Sequence, residues 1–279
     1  MSYKTILVHV SEVRQAEACI NIAASIASAE KAHLIGVAVT GVSRFLYQIA
    51  ESNPSDAVVV PHIEAMRKQA DNALVKFDDA MRQRGLDSFE RRLLDDDLAS
   101  GVTQHARCCD LVVLPQYDPE GMPAVVAADL PAYVLMNSGC PVLVVPHAGA
   151  PAKVGERVLV AWNAGLEALR AVRDALPILK RAAVVEIAVF NAAARTDVYG
   201  EEPGADLALY LARHDVKVNV IQQTTEIDIG DALLSLAADL TSDLLVMGCY
   251  GHSRFREILL GGATRTVLDS MTVPVLMSH

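Results

Sequence analysis

Between Met247 and Thr264 the chain reads Met247-Gly-Cys-Tyr-Gly-His-Ser-Arg-Phe-Arg-Glu-Ile-Leu-Leu-Gly-Gly-Ala-Thr264. The chemistry that such glycine spacing suits is anion binding by main-chain N–H groups, because a glycine turn exposes those donors and places no Cβ in the way of a phosphate. Gly248 and Gly251 make a first such turn directly after a buried strand that ends near Met247. After nine intervening residues, Gly261 and Gly262 make a second turn. Ala263 and Thr264 then open a helix, where Thr264 offers both a hydroxyl and a helix-start N–H. Two anion-binding turns therefore face one another across a gap of triphosphate size.

Other residue types capable of chemistry are present without the spacing that chemistry requires. His9, His147, His252 and His279 lie at or beside strand ends, but no two are spaced as ligands on one element, so no metal site is expected. The sequence holds no G-x-S-x-G elbow, no P-loop, no G-x-G-x-x-G after the first strand and no H-E-x-x-H. Arg254, Arg256 and His252 sit between the two glycine turns, which leaves slow hydrolysis of a bound phosphate ester open, yet no candidate base stands out. The expectation is a protein with no catalytic residues.

Composition narrows the partners. Lys plus Arg number 24 against 34 Asp plus Glu, and the net charge of −10 repels polyanions, so nucleic acid is not an expected partner. The five cysteines, Cys19, Cys108, Cys109, Cys140 and Cys249, contain no C-x-x-C and read as reduced thiols. No apolar run has the length of a signal segment or a membrane span, and the expected location is cytoplasmic with no membrane partner.

A site of this kind needs strands that end at the glycine turns, and the chain supplies them twice. Asp110-Leu-Val-Val-Leu-Pro-Gln-Tyr117 resembles Asp243-Leu-Leu-Val-Met-Gly-Cys-Tyr250, and Pro141-Val-Leu-Val resembles Pro274-Val-Leu-Met, both at an offset of 133 residues. The opening strands Ile6-Leu-Val-His-Val10 and Val158-Leu-Val-Ala-Trp162 match at an offset of 152, so the first half carries about 19 extra residues. That surplus falls most easily in residues 43–62, where Asn53-Pro54 and Pro61 break periodicity before a long amphipathic helix. In that helix Ile63, Met66, Ala70, Ala73, Phe77, Ala80 and Met81 recur at helical spacing, with Gly85 as its C-terminal stop, and an enlarged second crossover helix is the reading.

Each half alternates strands with helices, which implies a parallel sheet with right-handed crossovers. The fold class is α/β: two tandem doubly wound domains, each with a five-stranded parallel sheet, at residues 1–148 and 155–279. In the second, strands are expected near 157–162, 184–190, 216–222, 243–248 and 273–277. The linker runs from Pro146 to Gly155.

These motifs resemble the universal stress protein (UspA-like) family, whose ATP-binding members carry G-x2-G-x9-G-(S/T) after the fourth strand. Gly248, Gly251 and Gly261 match. The resemblance extends to the Val-Leu-Val-Ala-Trp opening and the Val-Pro-Val-Leu ending, and it covers both halves. It implies the universal stress protein and adenine nucleotide α-hydrolase-like fold, and a nucleotide bound by Asn163, Phe190, Met247, Gly248, Gly251, Gly261, Gly262, Ala263 and Thr264. Two positions depart from the family. Gly262 stands where the family has Ser or Thr, which removes one side-chain hydrogen bond. Asn163-Ala-Gly165 stands where members usually have Asp-Gly-Ser, with the Asp near adenine and ribose, so the amide remains and the charge is gone. Phe190 matches a family Val whose backbone meets the adenine.

The first half has lost the motif. Pro115-Gln-Tyr-Asp-Pro119 replaces the glycine turn, and Ser11 occupies the position of the first-strand Asp. The function implied is that of an ATP- or ADP-binding regulatory module of the stress response, with or without Mg, its nucleotide in the second domain. Two alternatives stand beside it: a nucleotide-free interaction or scaffold protein of the same family, and a binder of another phosphate- or acyl-bearing metabolite with residues 43–84 as its pocket wall. The matching last strands, Pro141–Val145 and Pro274–Met277, suggest that the halves pair as an internal pseudo-dimer, with a further homodimer left open.

Overall fold

In the computed structural model, residues 2–12, 16–117, 130–148, 151, 153–194, 202–250 and 262–279 are described. The chain divides into two compact units, Tyr3–Val142 and Leu143–His279 with Met1–Ser2.

The first unit runs β1 (Thr5–His9), α1 (Ala16–Glu30), β2 (His33–Val39), α2 (Arg44–Ser52), α3 (Val59–Gln83), β3 (Phe89–Leu94), α4 (Leu98–Ala106), β4 (Leu111–Pro115) and α5 (Leu130–Ser138); β5 (Val142–Val145) begins at its last residue. Its strands lie in the order β3-β2-β1-β4 and pair in parallel. The second unit runs β6 (Arg157–Ala161), α6 (Leu166–Leu179), β7 (Val184–Phe190), a 3-10 turn (Ala192–Ala194), α7 (Ala205–Ala212), β8 (Val218–Gln223), α8 (Ile229–Asp239), β9 (Leu244–Gly248), α9 (Gly262–Ser270) and β10 (Val275–Ser278). Its order is β8-β7-β6-β9-β10, again all parallel. The α/β doubly wound architecture read from the alternating pattern is thus present, and the five strands expected in the second half lie within about two residues of their expected bounds.

The central strands are continuous apolar runs because helices cover both of their faces. Leu111–Leu114 and Leu244–Val246 are all fully buried. The repeated Asp that opens each fourth strand has a structural cause. Asp110 accepts from the backbone N–H groups of Lys4 (2.6 Å) and Thr5 (2.9 Å). Asp243 does the same for Gly155 (2.8 Å), Glu156 (2.9 Å) and Arg157 (3.2 Å). Each carboxylate satisfies donors at the start of the first strand, where no strand partner reaches them.

The surplus in the first half builds more than the enlarged crossover helix expected. It makes a separate helix, α2, ahead of the 25-residue α3. The Asn53-Pro54 break that hides α2 in a periodicity scan is the joint between the two helices. Gly85 follows α3 with φ of +64°, the left-handed stop that glycine provides without strain. Phe77 is fully buried from α3, and its ring lies over Gly36 of β2, where an added Cβ would come within 2.6 Å of the ring. Among the described residues no helix is long and apolar enough to cross a membrane.

Candidate functional site

Strand order reverses between β6 and β9: β6 continues outward through β7 to β8, whereas β9 continues the other way to β10. Crossovers leaving in opposite directions open a crevice at the carboxyl ends of these two strands, which is where open α/β sheets bind ligands. The sequence-read residues Asn163, Met247 and Gly248 fall at this switch point, just past β6 and at the end of β9. Phe190 closes β7 on the same edge, half-buried, with Gln223 as its register partner. Gly262, Ala263 and Thr264 form the first turn of α9, a helix that returns from β9 to the parallel β10 and so starts at that edge. Gly251 and Gly261 lie outside the described residues.

Geometry assigns these residues different work. Gly248 is required by packing: a Cβ there would fall into the backbone of Glu167 and Ala168, in the first turn of α6. Asn163 spends its Oδ1 on the N–H of Gly165 (2.9 Å), an Asx turn that sets the start of α6, with Ala164 at φ +59° between them. One lone pair of the Asn163 oxygen is thus committed to the turn, and its amide adds donors that a carboxylate at this position would lack. Asn191, at φ +55°, accepts from the N–H of Thr225 (2.9 Å) and donates to its carbonyl (3.1 Å), fixing the chain beyond Phe190. Met247 and Thr264 are buried, and Gly262 is exposed.

The first residues of α9 carry backbone N–H groups without intrahelical partners and the positive end of the helix dipole. Among the described residues, a Cβ added at Gly262 would meet only the Oδ2 of Asp228, at 3.5 Å. Asp228 is the residue that the sequence reading missed. It caps α8 through its Oδ1, which accepts from the N–H of Gly230 (2.8 Å), while its second oxygen faces the start of α9. Its signal was the helix-start pattern Asp228-Ile-Gly-Asp231. Gly230 lets the two helix starts approach, since a Cβ there would come within 2.9 Å of the Ala263 carbonyl.

Ser278 and His279 lie beside the end of β9. The His279 Nδ1–H donates to the Cys249 carbonyl (3.2 Å), and its ring meets Tyr250 edge-on at 6.3 Å. Ser278 donates to Asp174 (2.7 Å), whose carboxyl is pushed up by burial, partly offset by that bond and by Arg170.

At the corresponding edge of the first unit, Pro115 ends β4 inside the sheet and Gln116 is buried behind it. Ser11 lies two residues past β1, and its Oγ has no hydrogen-bond partner among the described residues. Pro119 lies outside them.

All five cysteines are free. Burial pushes the Cys249 thiol up to about 12 and the Cys109 thiol up to about 11, raises Cys19 further still, and Cys140 is buried. Cys108 alone is exposed. A thiol-specific chromogenic reagent should therefore show one fast-reacting thiol per native chain, and Cys108→Ser should remove that phase; two or more fast thiols in the variant would contradict the burial. Among the described residues no three His, Cys, Asp or Glu side chains are placed to hold a metal ion.

Residues 155–279 match the model of the Universal stress protein family. The fold of the whole chain is similar to that of a universal stress protein from Archaeoglobus fulgidus DSM 4304, with a TM-score of 0.73, 15% identity, and 98% of this chain and 97% of that one covered. It is also similar to a functionally unknown protein from Pseudomonas aeruginosa PAO1, with a TM-score of 0.61, 16% identity, and 99% and 92% covered. A 46-residue segment is 41% identical to universal stress protein Slr1230 of Synechocystis sp. and spans 16% of this chain and 16% of that relative.

Proposed function

We propose, from the premise that residues 155–279 form a domain of the universal stress protein family, that this domain binds one adenine nucleotide, ATP or ADP, and acts as a regulatory module rather than as an enzyme. The observation that carries the reading is the meeting at the β6/β9 switch point of Asn163, Met247-Gly248 and the open start of α9. In this reading the N–H groups of the first turn of α9 hold the phosphates, and the β6 and β7 ends with Asn163 and Phe190 flank the base. Mg would travel with the phosphates and needs no protein carboxylate. The first domain contributes no second site, because Pro115 and Gln116 offer no glycine turn; a calorimetric titration should end near one nucleotide per chain, and an endpoint near two would refute this.

Asp228 gives the assignment a sharper test. Its second carboxylate oxygen faces the helix start that would hold the phosphates, so it opposes their charge. Asp228→Asn keeps an oxygen for the Gly230 N–H and removes the repulsion. ATP should bind about fivefold tighter to the variant, the effect of one like charge roughly 7 Å away at high effective dielectric. Unchanged affinity, measured by calorimetry at low and high salt, would mean that the phosphates lie elsewhere.

One observation favours a second reading, a nucleotide-free interaction protein of the same family. The close approach of Gly248 to the first turn of α6 accounts for that glycine by packing alone. Native mass spectrometry of the freshly purified chain separates the two: retained adenine nucleotide supports the first reading, and a bare chain that stays bare at millimolar ATP supports the second.

A further inference from the structure

β8 is the outermost strand of the second unit's sheet, with β7 as its neighbour on one side and, among the described residues, no strand on the other. The Asn191 N–H donates to the Gln223 carbonyl (2.9 Å), so Gln223 directs its main-chain groups at β7. Main-chain groups alternate sides along a strand, and those of Val218, Val220 and Gln222 therefore point away from the sheet. Among the described residues nothing bonds to them. Such an edge invites another strand unless something blunts it. The edge strand of the first unit is blunted by charge: β3 reads Phe89-Glu-Arg-Arg-Leu-Leu94. β8 reads Val218-Asn-Val-Ile-Gln-Gln223, with no charge and no proline, and its central Val220 remains 37% exposed. Charge is placed at its two ends instead. In the segment entering β8, Arg213 and Lys217 outnumber Asp215, whereas the segment leaving it carries Glu226 and Asp228 and no basic residue. All of these side chains are exposed.

We propose that β8 pairs antiparallel with β8 of a second copy of this chain, about a twofold axis through Val220. Val218 then meets Gln222 of the second copy, Asn219 meets Ile221, and Val220 meets its own counterpart. The outward residues gain up to about six ladder hydrogen bonds. The end charges select both the occupant and the direction. Antiparallel pairing sets the basic entry of each copy beside the acidic exit of the other, twice over, whereas parallel pairing sets like charge against like. A single short edge makes a small interface, so the dimer is reversible. Nucleotide has no part in it, and the proposal stands or falls separately from the nucleotide reading.

The test follows the full chain by sedimentation velocity and amide hydrogen exchange from micromolar to near-millimolar concentration. The expected result is a monomer–dimer equilibrium in which dimerisation slows exchange at least about tenfold at the Val218, Val220 and Gln222 amides. Asn219 and Ile221, whose amides face β7, should change little. Gln222→Pro removes one outward donor without touching the β7 ladder and should leave the chain monomeric. Lys217→Glu should weaken the dimer at least about threefold, and adding Glu226→Lys should restore it. A parent chain that stays monomeric overturns the proposal and leaves the edge to a strand of another protein. So does a dimer whose three outward amides exchange as fast as in the monomer, a result read on the parent alone and therefore decisive even where Gln222→Pro fails to fold. A dimer indifferent to the charge reversals refutes the antiparallel pairing.

Discussion

Gly251→Val should weaken ATP binding at least a hundredfold while leaving the melting temperature of the nucleotide-free protein nearly unchanged. The argument is one of donors and access. On the proposed nucleotide reading, a triphosphate at this loop would be held by main-chain N–H groups, and each charge-assisted hydrogen bond to an ionised group contributes about 1.5–3 kcal/mol. A β-branched side chain at position 251 blocks the approach and costs at least two of them, and about 3 kcal/mol corresponds to roughly a hundredfold in Kd. Gly248 supplies the control. A Cβ there would intrude on the Glu167–Ala168 backbone, so Gly248→Ala should lower the melting temperature of the nucleotide-free chain. One glycine of the motif thus reports on packing and the other on ligand. If both variants lowered stability alike and neither changed ATP affinity, the glycines would be structural and the interaction-protein reading would replace the nucleotide reading.

The fold was legible because its causes are local and repeated. Asp110 and Asp243 begin matching strands and clamp matching backbone donors, so the repeat visible in the sequence is a repeat of hydrogen bonds. Continuous apolar runs such as Leu244–Met247 announce strands buried on both faces. The site was legible in part: Asn163, Phe190, Met247 and Gly248 lie at the expected strand ends, and Gly262 to Thr264 open α9. What could not be read concerns contacts between segments distant in sequence. Nothing in the vicinity of Gly248 says that α6 passes over it, and nothing near Gly262 says that Asp228 lies opposite. Asn163 was read for its amide as a ligand group, whereas its oxygen is taken by a turn two residues long, a local signal present in Asn163-Ala-Gly165. Helix α2 was hidden because nine residues flanked by Asn53-Pro54 give too short a periodic run.

His9 yields the other large effect, and it concerns the first unit alone. The residue ends β1 at 3% exposure, and its Nδ1 has no hydrogen-bond partner among the described residues. It pairs in register with Val37, which shares a sheet face with Val39, and Val39 lies under Gly101 of α4. The imidazole is therefore on the α4-covered face, away from water. Burial lowers its pKa from the ordinary 6.5 to about 4. Above pH 6.5 the ring is neutral in both folded and unfolded chains and has no effect on the pH dependence. Below pH 6.5 the unfolded chain takes up a proton that the folded chain refuses, so stability falls with pH until the folded ring also protonates near pH 4. At 1.36 kcal/mol per pH unit, the loss between these limits is about 3 kcal/mol. In His9→Gln, which cannot titrate, that component of the acid loss should vanish. Urea unfolding of both proteins at pH 7 and at pH 4 isolates it from the carboxylates, which the two chains share. The parent should lose about 3 kcal/mol more than the variant on acidification; parallel losses would show that the imidazole is already solvated or paired in the folded state.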